Sequence, residues 1–310
     1  MSRKKRRKKN ADSDSNQSKQ NRSNKMEQRT GFQNYTLISL VVISVLGSII
    51  YSNSLKAPFV FDDINNIVNN QHIRVSEFDL GKFYDAAIES RAPRPLAYLT
   101  FAINYYFGEY NLTGYHLVNL VIHLLNGILV YFLASFTYRL YQGGCQGKLE
   151  ESDSQTVGWL SLFAACLFVV HPIQTQAVTY IVQRMTSLSV LFYFLALLFY
   201  ILGRLNQSTR NRWLLWGGTC LAGILAMASK QIAITLPVIL VLYEWYFFRN
   251  LDRPWALRGL KYLVVIAVGL GAISLIFLGT SPWQHLTKGY DIREFTMAER
   301  VLTQSRVVML

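Results

Sequence analysis

Seven apolar runs constrain this chain more than any other feature: 36–52, 114–137, 157–171, 185–203, 213–229, 231–248 and 262–279. Runs of about 18–20 residues with few charges match the hydrocarbon core of a bilayer, so each predicts a membrane-crossing helix. The bulk numbers agree. Of 310 residues, 51% are hydrophobic and only 16% charged, and the mean hydropathy of +0.21 is too high for an ordinary soluble protein. The expected fold class is an all-α, polytopic transmembrane helical bundle.

The net charge of +13 raises the question of nucleic acid. Residues 1–30 hold eleven Lys and Arg, from Arg3 to Arg29, against Asp12, Asp14 and Glu27, and so carry eight of the thirteen charges. The basicity is mostly a tail, not a binding face. With nothing apolar to bury, residues 1–34 are expected to be disordered. A basic run ahead of a membrane span holds the N-terminus in the cytoplasm and touches anionic lipid, so no nucleic-acid partner is expected. The run after Tyr35 ends without a small-x-small cleavage site, so it is not read as a removable signal. Cys145, Cys166 and Cys220 form no disulfide framework and are expected to be free thiols, the latter two as small buried apolar residues.

Placing the tail inside makes 204–212 and 249–261 inner loops. The first has Arg204, Arg210 and Arg212 and no acid; the second has Arg249, Arg253, Arg258 and Lys261 against Asp252. Both obey the positive-inside rule. Segment 280–310 then falls outside, with Trp283, Tyr290 and Phe295 suited to an interface. The final Val307-Val308-Met309-Leu310 reads as the start of another apolar run, an expectation that the chain is part of a longer protein.

The interval 53–113 is far longer than the other connections and falls on the outer side. Within it, Pro95 to Phe107 is apolar and aromatic but too short to cross, which predicts an interfacial or re-entrant helix. The same interval contains the adjacent carboxylates of Asp62 and Asp63, in Phe59-Val60-Phe61-Asp62-Asp63-Ile64-Asn65-Asn66-Ile67-Val68-Asn69-Asn70. Paired carboxylates beside a low-dielectric boundary suit a general base or a metal ligand. An Asp-rich turn or helix cap explains them equally well. Arg91 and Arg94, set among Pro93 and Pro95, suit either a phosphate grip or headgroup snorkelling.

His116, Asn119, His123 and Asn126 are spaced 3, 4 and 3 and share one helix face. Interhelical hydrogen bonding is the commoner reason for such polar groups in a membrane, and the histidine spacing argues against a two-His metal clamp. His171 closes the third run, Arg184 opens the fourth, and Lys230 sits between two runs. This topology brings Arg94, Arg184 and Lys230 to the face that holds the acids. A lipid-linked phosphate donor needs such a site: cations for the phosphate and a carboxylate for the acceptor proton. No Gly-rich phosphate loop, G-x-S-x-G elbow or Cys/His zinc spacing occurs.

Four ordered blocks carry a family resemblance: FVFDDINNIVNN, RPLAYLTFAINYYFGEYNLTGYHLVNLVIHLLN, HPIQTQAVTYIVQR and SKQIAITLPVILVLYE. Together they resemble the membrane half of the tetratricopeptide-repeat-linked protein O-mannosyltransferase-like family and its bacterial relatives, of the GT-C class. The resemblance spans 36–310. It implies a GT-C-like domain over 35–310 whose outer loop carries the catalytic acid at Asp62-Asp63. It also implies a polyprenyl-phosphate sugar donor and a protein or glycan hydroxyl as acceptor, with His171, Arg184 and Lys230 in matching blocks. The expected location is a cell membrane, the bacterial inner membrane or its equivalent. Gln176 departs from the acidic residue of many relatives. Whether a divalent metal takes part stays open at this point, as do two other functions: a transporter or flippase, and a non-catalytic GT-C-like scaffold.

Overall fold

Every regular element among the residues described by the computed structural model, 35–90, 93–147, 149, 154–259, 261 and 296–309, is helical. The basic tail and the run at 262–279 lie outside the described residues. The chain divides into two units, residues 1–250 and 251–310.

In the first unit, α1 (Tyr35–Ser54) is followed by a π-helical turn at Ile64–Val68, α2 (Leu80–Ile88) and α3 (Pro95–Gly108). Then come α4 (Leu112–Gln142), α5 (Ser154–Val170), α6 (Thr175–Thr179), α7 (Arg184–Leu205), α8 (Thr209–Ser229) and α9 (Leu236–Tyr243). Among the described residues four segments are long and apolar enough to cross a membrane: Tyr35–Ser54, Leu112–Gln142, Ile181–Leu205 and Gln231–Phe248. Gln155–Val170 with Pro172–Thr179, bent by 52°, makes a fifth if the pair counts as one span. The chain is a multi-pass membrane protein. α8 coincides with the run at 213–229 but is not among these segments, because Arg212, Gly217, Gly218 and Thr219 dilute it.

In the second unit, the described residues include a helix at Met297–Met309. Thr296 and Glu299 start it reciprocally: the Thr296 amide donates to Glu299 Oε2 at 2.7 Å and the Glu299 amide to Thr296 Oγ1 at 3.3 Å. This is a capping box.

The bend after α5 has a local cause. Pro172 lacks an N–H and disfavours helical backbone in the residue before it. The Ile173 amide turns instead to His171 Nδ1 at 3.2 Å. Broken backbone inside a membrane protein must find other partners. The polar face of α4 supplies them. His123 Nε2 lies 3.1 Å from the Val169 carbonyl, which also accepts from the Tyr51 hydroxyl at 3.2 Å. His116 Nδ1 is 3.5 Å from the Val178 carbonyl, and Asn119 Nδ2 donates to Ile181 O at 3.2 Å. Asn126 Nδ2 donates to Ser187 O at 2.9 Å. The face read as interhelical glue therefore holds the whole 169–187 segment. Replacing Asn126 by Ala should cost about 1 kcal/mol, the usual size of such bonds in membranes. Thermal unfolding in detergent measures it.

The core nearest the acids is built from Ile67, Ile73, Val75, Ala86, Tyr98, Phe101, Tyr115, Ile181, Val182 and Met185, with their neighbours. It joins the α1–α4 interval to the starts of α4 and α7. α3 spans about 21 Å at 1.5 Å per residue, short of the ~30 Å hydrocarbon core. It buries Ala97, Tyr98, Phe101 and Ala102, so it packs within the protein at one end of the bundle. α2 begins where Asp79 Oδ1 accepts the Gly81 amide at 2.8 Å. All three cysteines are free, and Cys220 is exposed on the chain surface where burial was expected. α8 buries only a narrow stripe, Thr219, Ala222, Ala226 and Ser229, and Cys220 lies off it.

Candidate active site

Asp62 and Asp63 are neighbours with opposite environments. Asp63 is fully buried; its Oδ1 accepts the Val182 amide at 2.7 Å and its Oδ2 the Val60 amide at 3.1 Å. Burial pushes this carboxyl above its usual range, while the Val60 and Val182 amides and the charge of His116 pull it back. It stitches the turn to the start of α7, 119 residues away. Asp62 is exposed, and its carboxylate has the Tyr180 hydroxyl as a side-chain hydrogen-bond partner. Its amide donates to the Tyr180 hydroxyl at 2.9 Å, and its carbonyl accepts from Asn66 Nδ2 at 2.8 Å. Just before it, Phe61 has φ 44° and is 85% exposed. A bulky residue in that region stores local strain of about 1–3 kcal/mol, which persists only where surroundings enforce it. Asn66 Oδ1 in turn accepts from the buried Tyr98 at 2.7 Å. The result is an exposed carboxylate, beside the Tyr180 hydroxyl, on a fixed mount.

One helical turn further along the 180s segment lie two cations. Arg94, at the N-cap of α3, donates through Nη1 to Met185 Sδ at 3.0 Å, and its buried Nε has no acceptor. Lys230, at the corner between α8 and the Gln231–Phe248 span, donates to Thr186 Oγ1 at 2.6 Å. Thr186 is itself bonded to Gln183 Oε1 at 2.6 Å, and Gln231 Nε2 reaches Pro93 O at 3.2 Å. Burial and the neighbouring Arg94 charge lower the Lys230 ammonium below the usual lysine range. Among the described residues neither cation has an acidic partner. The ion pairs found there join Glu244 to Arg204 and Arg249 at the far end of α7. Two half-buried cations without a counter-charge among the described residues have the chemistry to receive an anion. Arg91 lies outside the described residues.

Arg184 is placed differently from the other cations. It is fully buried, with Nε on Asn119 Oδ1 at 2.7 Å and Nη2 on Tyr115 O at 2.9 Å. Nη1 contacts Asn104 Oδ1 at 2.5 Å and Thr100 O at 3.2 Å. Its guanidinium carbon also sits 4.7 Å from the centre of the Phe101 ring. The fork is spent on tying α3, α4 and α7 together. His171 is exposed at the bend, with Nδ1 used as the cap described above. Gln176 is exposed on α6. Among the described residues no three His, Cys, Asp or Glu side chains gather as a ligand set. Tyr180, Met185 and Thr186 were not singled out by sequence reasoning. Tyr180 lies in the HPIQTQAVTYIVQR block, which is the signal that would have pointed to it.

Protein O-mannosyl-transferase Tmtc3 of Drosophila melanogaster is 32% identical over 250 residues, 75% of this chain and 27% of its own. The chain is a homologue of the Tmtc protein O-mannosyl-transferases. Human TMTC2 is 30% identical over 258 residues, 79% of this chain and 28% of the relative; human TMTC4 is 31% identical over 211 residues, 63% and 28%. The chain thus spans little more than a quarter of the length of the curated Tmtc relatives it matches. No family model and no solved structure matches it.

Proposed function

We propose that this protein is a membrane glycosyltransferase that moves a sugar from a polyprenyl-phosphate donor to a protein or glycan hydroxyl at the non-cytoplasmic face. The Asp62 carboxylate takes the acceptor proton as the hydroxyl oxygen attacks the anomeric carbon, and the lipid phosphate leaves with the bonding electrons. Arg94 and Lys230 hold that phosphate and meet the charge it gains. Asp63 and Arg184 position these groups without touching substrate, and His171 keeps the bend beside them. Attack opposite the leaving phosphate inverts the anomeric centre.

The observation that carries this reading is that one segment holds both parts: the turn bearing the exposed Asp62 is fixed to Tyr180 and Val182, and two cations without an acidic partner among the described residues are held at Met185 and Thr186. The O-mannosyl-transferase activity for which the Tmtc relatives are named supports it, and the arginine-rich loops at 204–212 and 249–261 support a cytoplasmic N-terminus. The test is product formation by the purified protein at its natural length. Labelled sugar should appear covalently on acceptor; label carried across vesicles without any product would overturn the reading in favour of a transporter.

A pH experiment checks the role of Lys230. Its folded pKa is lowered, so the ammonium is lost at a pH below the usual lysine value near 10.5. Donor affinity should therefore weaken on the alkaline side as pH rises through that lowered value. Lys230→Arg keeps its proton throughout and should extend the plateau upward. Donor KM measured against pH for both forms reports the difference.

A further inference from the structure

Tyr180 stands at the break between α6 and α7, and its hydroxyl faces Asp62. Its backbone is extended, with φ −99° and ψ 107°, between α6 and the short turn Ile181–Gln183. Both sides of the residue are tied. Its amide donates to Gln176 O at 3.2 Å, and its carbonyl accepts from the Gln183 amide at 3.0 Å. The ring packs against the core that contains Tyr98, Phe101 and Ile181, and the flanking Val178 and Ile181 are fully buried. A tyrosine has only two side-chain torsions, so a ring seated in this way fixes the place of its hydroxyl.

That hydroxyl meets Asp62 twice. The Asp62 amide donates to Tyr180 Oη at 2.9 Å, which uses a lone pair and leaves the phenol proton free. The proton goes to the Asp62 carboxylate. Burial raises the phenol above its usual range, as do the charges of Asp62 and Asp63 and the bond to the carboxylate, against the pull of the Asp62 amide. The hydroxyl therefore keeps its proton around neutral pH and stays a donor. Amide, hydroxyl and carboxylate close a ring through the Cα and Cβ of one residue. An exposed aspartate without such a ring samples several rotamers; this one is held in a single arrangement. The bond occupies one carboxylate oxygen and leaves the other to accept. The same stretch sets Asp63 separately, through the Val182 amide at 2.7 Å.

We propose that Tyr180 is a positioning residue for the base: its hydroxyl clamps Asp62 between amide and carboxylate and turns the remaining carboxylate oxygen toward the acceptor. The proposal rests on the reading of Asp62 as the base. Tyr180 acts through Asp62 and takes no proton from substrate, so its loss falls on turnover and spares donor binding.

The test compares Tyr180→Phe with wild type in the protein at its natural length, using labelled polyprenyl-phosphate mannose and a Thr-containing acceptor peptide. Expected is a kcat about tenfold lower, with donor KM unchanged. Melting temperature should also hold, because the Asp62 amide is exposed and water takes the place of the hydroxyl there. In the Asp62→Asn background the same change should cause no further loss. Replacing Tyr180 by 4-aminophenylalanine, which keeps a donor at the tip of the ring, should recover most of the lost kcat. If the Phe form melts lower, this last comparison decides, since both rings pack alike. Unchanged kcat in Tyr180→Phe, an equal further loss in the Asp62→Asn background, or no recovery by the amine would overturn the proposal. The two readings fail differently. Full activity of Asp62→Asn would remove the base and the clamp together, whereas an inactive Asp62→Asn beside a fully active Tyr180→Phe would remove the clamp and leave the base standing.

Discussion

Asp62→Asn should reduce sugar transfer by about 10²–10⁴-fold, the usual contribution of a positioned general base. The substitution keeps the side chain's shape, and an Asn oxygen can still accept from the Tyr180 hydroxyl. Asp62 is exposed, and the bonds that hold its residue in place run through its own amide and carbonyl, to Tyr180 and Asn66. Melting temperature and donor KM should therefore stay near wild type, so that the loss falls on turnover. Asp63→Ala makes the contrast. It leaves the amides of Val60 and Val182 unpaired at a buried position, at about 1–3 kcal/mol for each unmet group. That variant should lose stability and protection of the 60–68 turn against proteolysis along with its activity. A pattern in which Asp63→Asn abolishes transfer at full stability while Asp62→Asn is active would reverse the two roles.

Arg184→Met should have the largest effect on stability. Its removal leaves Asn119 Oδ1, Asn104 Oδ1 and the Thr100 and Tyr115 carbonyls without this donor, all inside the junction of α3, α4 and α7. Buried acceptors left unmet cost about 1–3 kcal/mol each, with strong non-additivity among neighbours, so about 4 kcal/mol in total is expected. For a domain of this size that is a fall in melting temperature of about 10 °C. Arg184→Lys should recover only part of it, because an ammonium cannot reproduce the planar fork. Thermal aggregation of purified protein in detergent measures the shift. Unchanged melting with a raised donor KM would instead mean that the guanidinium grips the phosphate.

These two residues also show where sequence and structure part. The membrane runs at 36–52, 114–137, 185–203 and 231–248 were legible because about 20 apolar residues in a row admit few other readings. The His116–Asn126 face was legible as a stripe, though its partners at 169–187 were not, since nothing local says which backbone will be broken. Arg184 was grouped with Arg94 and Lys230 on position alone. Its true neighbours lie 65 to 84 residues away in sequence, and no spacing rule reaches them. Asp62 and Asp63 are adjacent, so composition treats them alike, yet a turn points one inward and one outward. α2 went unnoticed for a different reason: nine residues with a single buried position, Ala86, make too weak a pattern.

The central claim is a lipid-phosphate donor read by Arg94 and Lys230 and an acceptor activated by Asp62. The most direct measurement offers the purified protein at its natural length two donors in parallel, labelled polyprenyl-phosphate mannose and labelled nucleotide mannose, with a Thr-containing acceptor peptide. The predicted result is covalent label on the peptide from the lipid donor only, lost in Asp62→Asn. Label from the nucleotide donor, or undiminished transfer in the variant, would contradict it.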